Sequence, residues 1–406
     1  MPIVPSSDRT VEGTAHRNVV VLAGSLFALA AGEELWLAYM PAYLTALGAS
    51  GLVVGLYGSL KDLLDSLYQY PGGWLADRLG RRRALMIFTA IATTGYAACA
   101  AAPTWPFVLL GFIAVMAWKA GAFPTTFAII GDAVPRNRRA AAFAVQSMLV
   151  RVPRVVSAPI GGLVIASVGT IGGVRLACLL TAVIGIAVLL VQQRQFSEGA
   201  ATASAAVSPR VTLRTLPSEL RQLLAAECLV RIGEGIAASF IVLYVTQVRQ
   251  VAVFDYGVLY AIQQAIAIAL YLPAGRLADA TGRRPVVALT FLFFASFPLA
   301  VRWADTFPAL IAAFVIGGLK EFGEPARKSL IVDLAPDDRR ASAVGAYYGI
   351  RNLLVVPAGL LGGLLWQQSP QLPLTVACAV SALGLLVFLL TQRHASTLST
   401  RSRHTR

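Results

Sequence analysis

The sequence predicts an all-α membrane protein of twelve transmembrane helices arranged as two pseudo-symmetric six-helix bundles. Three observations carry that prediction: long apolar segments in series, arginines gathered in alternate loops, and an internal repeat with a period of 200 to 201 residues. Of 406 residues, 57% are hydrophobic and 13% are charged, and the mean hydropathy is +0.69. A soluble domain carries roughly twice that charged fraction.

A spanning helix needs about 20 predominantly apolar residues. Twelve segments meet this, and spans 1 to 12 are 18–46, 52–76, 84–102, 106–132, 140–167, 173–192, 219–246, 255–279, 285–302, 307–333, 341–367 and 372–391. Many connections are short and rich in glycine or proline, as at 48–51, 102–104 and 369–370. The longest, 193–218, is Ala/Ser-rich with Arg194, Arg210 and Arg214, and reads as a flexible linker between bundles 18–192 and 219–392. Polar tails 1–17 and 393–406 flank them. The first apolar segment is too long for a cleaved signal peptide and reads as an anchor.

Loop charge fixes the expected orientation. Loops 2–3, 4–5, 6–7, 8–9 and 10–11 hold Arg78, Arg81, Arg82, Arg83, Arg136, Arg138, Arg139, Arg194, Arg210, Arg214, Arg276, Arg283, Arg284, Arg339 and Arg340. The opposite loops hold Arg175, Arg249 and Arg302 at most. Positive loops stay inside, so a multi-pass protein of the inner (plasma) membrane with both termini cytoplasmic is expected. The net charge of +14 then reflects topology, and no nucleic-acid partner is expected. Membrane lipids are expected partners, with the basic tail from Arg393 lying on the anionic inner surface. Cys99, Cys178, Cys228 and Cys378 all fall inside spans without metal-ligand spacing, so they read as packing residues. No cofactor or metal is expected.

The segment Gly73-Trp74-Leu75-Ala76-Asp77-Arg78-Leu79-Gly80-Arg81-Arg82-Arg83-Ala84-Leu85 joins spans 2 and 3. A second version, Gly275-Arg276-Leu277-Ala278-Asp279-Ala280-Thr281-Gly282-Arg283-Arg284, lies 202 residues on. This resembles the signature of the major facilitator superfamily, G-x-L-A-D-R-x-G-R-R-x-x-L, which links helices 2 and 3 on the cytoplasmic side. The first copy fills every specified position, and the second has Ala280 where the signature has arginine. The resemblance implies that Asp77 faces the positive end of a helix beginning near Arg340. It also implies that Arg81 pairs with Asp132 to latch one state, with Gly73 and Gly80 allowing close approach and a tight turn. Gly275, Asp279, Gly282, Arg283 and Asp333 would do the same more weakly. Ala158-Pro159-Ile160-Gly161-Gly162 is similar to the Gly-Pro-x-x-Gly-Gly signature of drug/proton antiporters, one residue short and without its first glycine. Phe112 stands where those efflux permeases have arginine, with Lys119 two turns further on.

The halves repeat each other beyond these hairpins. Gly32-Glu33 recurs as Gly233-Glu234, Lys119 and Pro124 as Lys320 and Pro325, Asp132 as Asp333, and Arg151 as Arg351. Six helices per repeat give both copies one orientation. Transporters built this way bind substrate near the midplane between halves and open alternately to each side.

Ionisable side chains inside a span are costly unless they face a wet cavity or a partner. Here they lie on spans 1 (Glu33, Glu34), 2 (Lys61, Asp62, Asp65), 4 (Lys119), 5 (Arg151, Arg154), 7 (Glu227, Arg231, Glu234), 10 (Lys320, Glu321, Glu324, Arg327, Lys328) and 11 (Arg351). The interiors of spans 3, 6, 9 and 12 have none, and in the superfamily those are the outer helices. Several charges share a helix face: Lys61 with Asp65, Glu227 with Arg231 and Glu234, and Lys320 with Glu324 and Arg327. Arg154 is placed either to bind an anionic group bidentately or to pair with a carboxylate on span 1 or 2.

His16, His394 and His404 all lie in the tails, so a proton carrier has to be a carboxylate: Glu33, Glu34, Asp62 or Glu234, then Glu324. Protonation and substrate binding are expected to compete for the same basic partner. With no phosphate-binding Gly-Lys-Ser/Thr loop, the proton gradient is the expected energy source. No nucleophile–base grouping points to an enzyme. The leading reading is a monomeric secondary transporter of a polar or charged small molecule, working by proton-coupled efflux. A proton symporter or uniporter for nutrient import, and a lipid flippase or substrate-sensing receptor on the same fold, are the alternatives.

Overall fold

Helix is the regular structure that so apolar a chain can form in lipid, because every backbone polar group must be satisfied within the segment. The computed structural model describes residues 7–122, 126, 139–196, 216–336 and 340–403, and no strand occurs among them. Eight helices among the described residues are long and apolar enough to cross a membrane. The count is nine when the bent pair Ser218–Ala238 and Ile241–Val248 is taken as one span. Spans 2, 4 and 10 make up the rest, and ions or breaks set them apart. Span 2, Gly51–Leu79, carries Lys61, Asp62 and Asp65; span 4 is described as the shorter apolar helix Trp105–Gly121; span 10 is split into Phe307–Leu319 and Glu324–Leu334.

Several of the helices that carry mid-span ions are irregular, whereas spans 2 and 5 run unbroken over Gly51–Leu79 and Arg139–Val168. Span 1 runs over Ser7–Glu33, tightens through a 3₁₀ turn at Leu37–Tyr39 and resumes as Met40–Ala46. Span 4 widens into a π turn at Ala117–Gly121, around Lys119. Span 7 ends its main helix at Ala238 and finishes in a π turn, Tyr244–Val248. Span 10 breaks between Leu319 and Glu324, where the Glu321, Phe322 and Glu324 N–H groups bond to carbonyls three residues back. Hydropathy gives only the extent of each span, because it averages over a window and does not register an interrupted backbone ladder. The break in span 10 also overturns one expected pairing. Lys320 precedes the second helix and Glu324 opens it, and each bonds elsewhere, Lys320 to Glu234 and Glu324 to Lys328.

Met1–Ala49, Leu63–Ala205 and Ala252–Ala261 form one compact unit, and Ser50–Asp62, Ala206–Val251 and Ile262–Arg406 form a second. Within the first, Thr181 accepts from Trp36 Nε1 (3.1 Å) and donates to the Gly32 carbonyl (2.8 Å), tying span 6 to the break in span 1. Gln192 bridges Ser25 and Thr89 at 3.2 and 3.1 Å. A Cβ on Gly161 would lie 1.8 Å from the Leu35 carbonyl oxygen, so span 5 touches span 1 backbone to backbone. In the second unit, a Cβ on Gly55 would come 2.4 Å from the Gly359 carbonyl oxygen. Ser59 Oγ accepts from the Leu360 N–H at 3.0 Å beside it. The apolar core of this unit gathers Leu220, Leu224, Phe291, Phe322, Ile331 and Tyr347.

Exposed apolar stripes run along several helices, span 5 with Val152, Val156, Ile160 and Leu163 among them. Span 6 exposes Leu179, Val183, Ile186 and Leu190, and span 12 exposes Leu383, Leu386 and Leu390, at helical spacing. Such stripes suit lipid tails rather than water. Gly80 and Gly282 open spans 3 and 9 with φ of 86° and 89° and ψ of 154° and 158°. That region of backbone space is essentially restricted to glycine.

Candidate functional site

In the first unit, the irregular turn of span 1 places two carboxylates side by side. Glu33 and Glu34 are both buried, with 4% of each residue exposed. Glu34 Oε1 accepts from Arg154 Nε on span 5 at 2.9 Å, the carboxylate-pairing alternative of the two open to Arg154. Glu33 Oε1 accepts instead from the Tyr96 hydroxyl on span 3 at 2.6 Å. Tyr96 is itself enclosed, edge-on to Trp36 at 6.2 Å between centroids. Lys119, Arg154 and Glu34 all act on Glu33 electrostatically. Arg151 lies three residues before Arg154 on the same helix and is half-buried.

The second unit holds a denser network. Glu234 Oε1 accepts from Lys320 Nζ and its Oε2 from Arg231 Nη1, both at 2.7 Å. Arg231 lies over the Phe294 ring at 5.0 Å, and Lys320 lies 5.4 Å from that ring and 5.5 Å from Phe297. A buried cation gains from the negative face of an aromatic ring. Two turns from Glu234 and one from Arg231, Glu227 is fully enclosed. Its Oε1 accepts from Arg327 Nη1 (2.5 Å) and Arg351 Nη1 (2.8 Å), and its Oε2 from the Tyr347 hydroxyl. Arg231 Nε stands 3.9 Å from the same carboxylate. Spans 7, 10 and 11 are thus joined at one anion. Glu324 pairs with Lys328 at 2.8 Å. Asp62 approaches span 7 at Gly235, where a Cβ would sit 4.0 Å from its Oδ2.

At the hairpins, Arg78 lies over the Trp74 ring at 5.1 Å, Arg81 opens span 3, and Arg82 donates to the Gln193 carbonyl at 2.6 Å. Arg283 pairs with Asp333 and reaches the Ser329 carbonyl at 3.4 Å. Asp132 lies outside the described residues, as do the side chains of Asp77 and Asp279 and the surroundings of Gly73 and Gly275. Among the described residues, no group of three His, Cys, Asp or Glu side chains converges as metal ligands would.

Sequence reasoning missed one participant. Tyr96 sits on a span without intramembrane ions, and nothing in its local pattern marks it as a carboxylate's partner. Glu227 was legible as an ion that others neutralise. Its role as a junction of three helices depends on partners on spans 10 and 11.

A sequence profile of the Major Facilitator Superfamily matches residues 22–222 and again 223–405. The chain belongs to the major facilitator superfamily. Among superfamily relatives, an uncharacterised MFS-type transporter of Methanocaldococcus jannaschii is 20% identical over 380 residues, covering 92% of this chain and 94% of that one. A Na⁺, Li⁺, K⁺/H⁺ antiporter of Planococcus maritimus is 29% identical over 147 residues, 34% of this chain and 35% of the antiporter. Among solved structures, a bacterial homologue of the human lysosomal transporter Spinster superposes with a TM-score of 0.74 at 16% identity. That match covers 92% of this chain and 96% of the homologue. The protein is therefore a multi-pass membrane transporter rather than an enzyme, with the two-bundle fold of the superfamily. Transporters of this superfamily bind small-molecule substrates.

Proposed function

We propose that the protein is a proton-coupled antiporter that exports a polar or charged small molecule by alternating access. It would work as a monomer in the inner membrane, with both termini cytoplasmic and bundles 18–192 and 219–392 moving about the site. One observation carries the coupling assignment. Among the mid-span carboxylates, Glu33 is held by a hydroxyl, whereas Glu34, Glu227 and Glu234 are each held by cations. A carboxyl group facing a phenol accommodates either protonation state without breaking an ion pair. Glu234 gives up its hold on Lys320 and Arg231 if it takes a proton. In this reading Glu33 carries the proton, and Glu234 holds two cations that the solute competes for.

The alternate loops rich in arginine support the orientation, since positive loops remain on the cytoplasmic side. The match to an H⁺ antiporter over about a third of the chain supports the direction of coupling. The hairpin ions, among them Arg81 and Asp132 in the first half and Arg283 and Asp333 in the second, serve as cytoplasmic latches. Proteoliposomes with an imposed pH gradient test the proposal. Solute should leave the compartment against its gradient as protons enter, and collapse of the pH gradient should stop it. Solute flux that is indifferent to the pH gradient would overturn it.

A further inference from the structure

Resting on the transport reading above, we propose that the solute is an organic anion whose carboxylate is received by Arg351 on span 11. The guanidinium is held in place from two directions. Its Nη1 donates to Glu227 at 2.8 Å, and its Nε and Nη2 donate to Asn352 Oδ1 at 3.1 and 2.8 Å. Its face lies 4.6 Å over the Tyr348 ring. A guanidinium has five N–H donors, so two remain for a ligand. The side chain is 17% exposed, while the carboxylate that anchors it is 0% exposed. Arg351 is therefore a fixed cation with a closed back and a partly open front.

Its neighbours favour the same ligand charge. Among the described residues, the ion pairs around Glu227 and Glu234 set four cations, Arg231, Lys320, Arg327 and Arg351, against these two carboxylates. Glu321 also acts on Arg231 electrostatically, Glu324 pairs with Lys328, and Asp62 Oδ2 would lie 4.0 Å from a Cβ on Gly235. The Nε atoms of Arg231 and Arg327 are buried without a hydrogen-bond partner. Charges in a span are weakly screened, so cations bonded to fewer carboxylates attract an anion and repel a cation. Arginine's planar fork grips a carboxylate with two parallel bonds, which a lysine ammonium cannot reproduce.

The test uses the purified full-length chain in detergent, with acetate, benzoate, citrate and glutamate as carboxylate probes. Tetraethylammonium is the cationic probe and glucose the neutral one. At least one carboxylate should bind the wild type. Arg351→Gln should weaken that binding by about tenfold or more, and Arg351→Lys, which can keep the Glu227 pair, should weaken it by a comparable factor. Tyr348→Leu removes the stacked ring without touching an ion pair and should weaken binding by a smaller factor. Carboxylate binding that survives Arg351→Gln overturns the assignment, as does a wild type that binds none of the four carboxylates. Flux under a pH gradient separates this from the transport reading. Proton-driven movement of tetraethylammonium or glucose sinks the anion assignment and leaves transport standing. Carboxylate binding at Arg351 without pH-dependent flux keeps the site and sinks the coupling.

Discussion

The Tyr96 hydroxyl donates to Glu33 Oε1 at 2.6 Å, and both groups are sealed from solvent. That bond sets the first prediction. Glu33→Gln should lower proton-driven accumulation by an order of magnitude or more, because an amide occupies the carboxyl's place but carries no exchangeable charge state. Tyr96→Phe leaves the carboxylate without its bonded donor and should shift the pH midpoint of transport rather than abolish it. Uptake at graded external pH in proteoliposomes reads both. Wild-type accumulation by Glu33→Gln would remove Glu33 from the coupling role.

Glu227 predicts a different kind of loss. Removing one partner of a buried ion pair costs about 3–5 kcal/mol, because the opposite charge is left buried without compensation. Glu227→Gln should therefore lower the melting temperature in detergent more than any single change at a surface pair. The comparison is Glu219→Gln, whose partner Arg284 lies 3.3 Å away with side chains 52% and 41% exposed. An exposed pair of that kind is worth about 0–1 kcal/mol. Equal melting temperatures for the two variants would show that Glu227 holds nothing together.

The contrast between these carboxylates also shows how far the sequence could be read. The number of spans, the parallel repeat and the ion-bearing helices follow from hydropathy and spacing along one chain. Those signals are local, or they recur at a fixed period. The turn at Lys320–Gly323 does not follow, because a lysine-glutamate pair four residues apart reads the same on paper whether or not the helix continues. Nor does the bond from Tyr96 to Glu33 follow, since it joins residues 63 apart on different spans. The repeat did equate Glu33 with Glu234, yet their surroundings differ. A hydroxyl faces one, and two cations hold the other. Pseudo-symmetry of sequence position therefore located the pair without revealing the difference on which the coupling proposal depends.

Glycine positions separate by what a methyl group would meet. At Gly161, a Cβ would lie 1.8 Å from the Leu35 carbonyl oxygen, which is backbone and cannot swing aside. Gly161→Ala should cost more than about 1–3 kcal/mol, the usual range for overpacking. At Gly345 nothing lies within 4 Å, and the residue is inside the helix Arg340–Val355. Gly345→Ala should stabilise by about 0.5–1 kcal/mol through the entropy of the unfolded chain. Thermal melts of the two variants should move in opposite directions from wild type, and shifts of the same sign would show that the close approach at Gly161 is not tight.

The pair between Arg283 and Asp333 makes the final prediction, because it tests a latch without touching the mid-span ions. The two side chains are 35% and 52% exposed, so their contact contributes about 0–1 kcal/mol to stability. A function for the pair should then appear in transport rather than in melting. Arg283→Glu places two carboxylates together, and its transport rate should fall several-fold while its melting temperature stays close to wild type. Asp333→Arg alone should do the same by opposing two cations. Combining Arg283→Glu with Asp333→Arg restores opposite charges in reversed order and should recover much of the lost rate. Recovery would tie the rate to the attraction between these two residues. A double variant as slow as either single one would mean that each acts through some other contact, such as the bond from Arg283 to the Ser329 carbonyl.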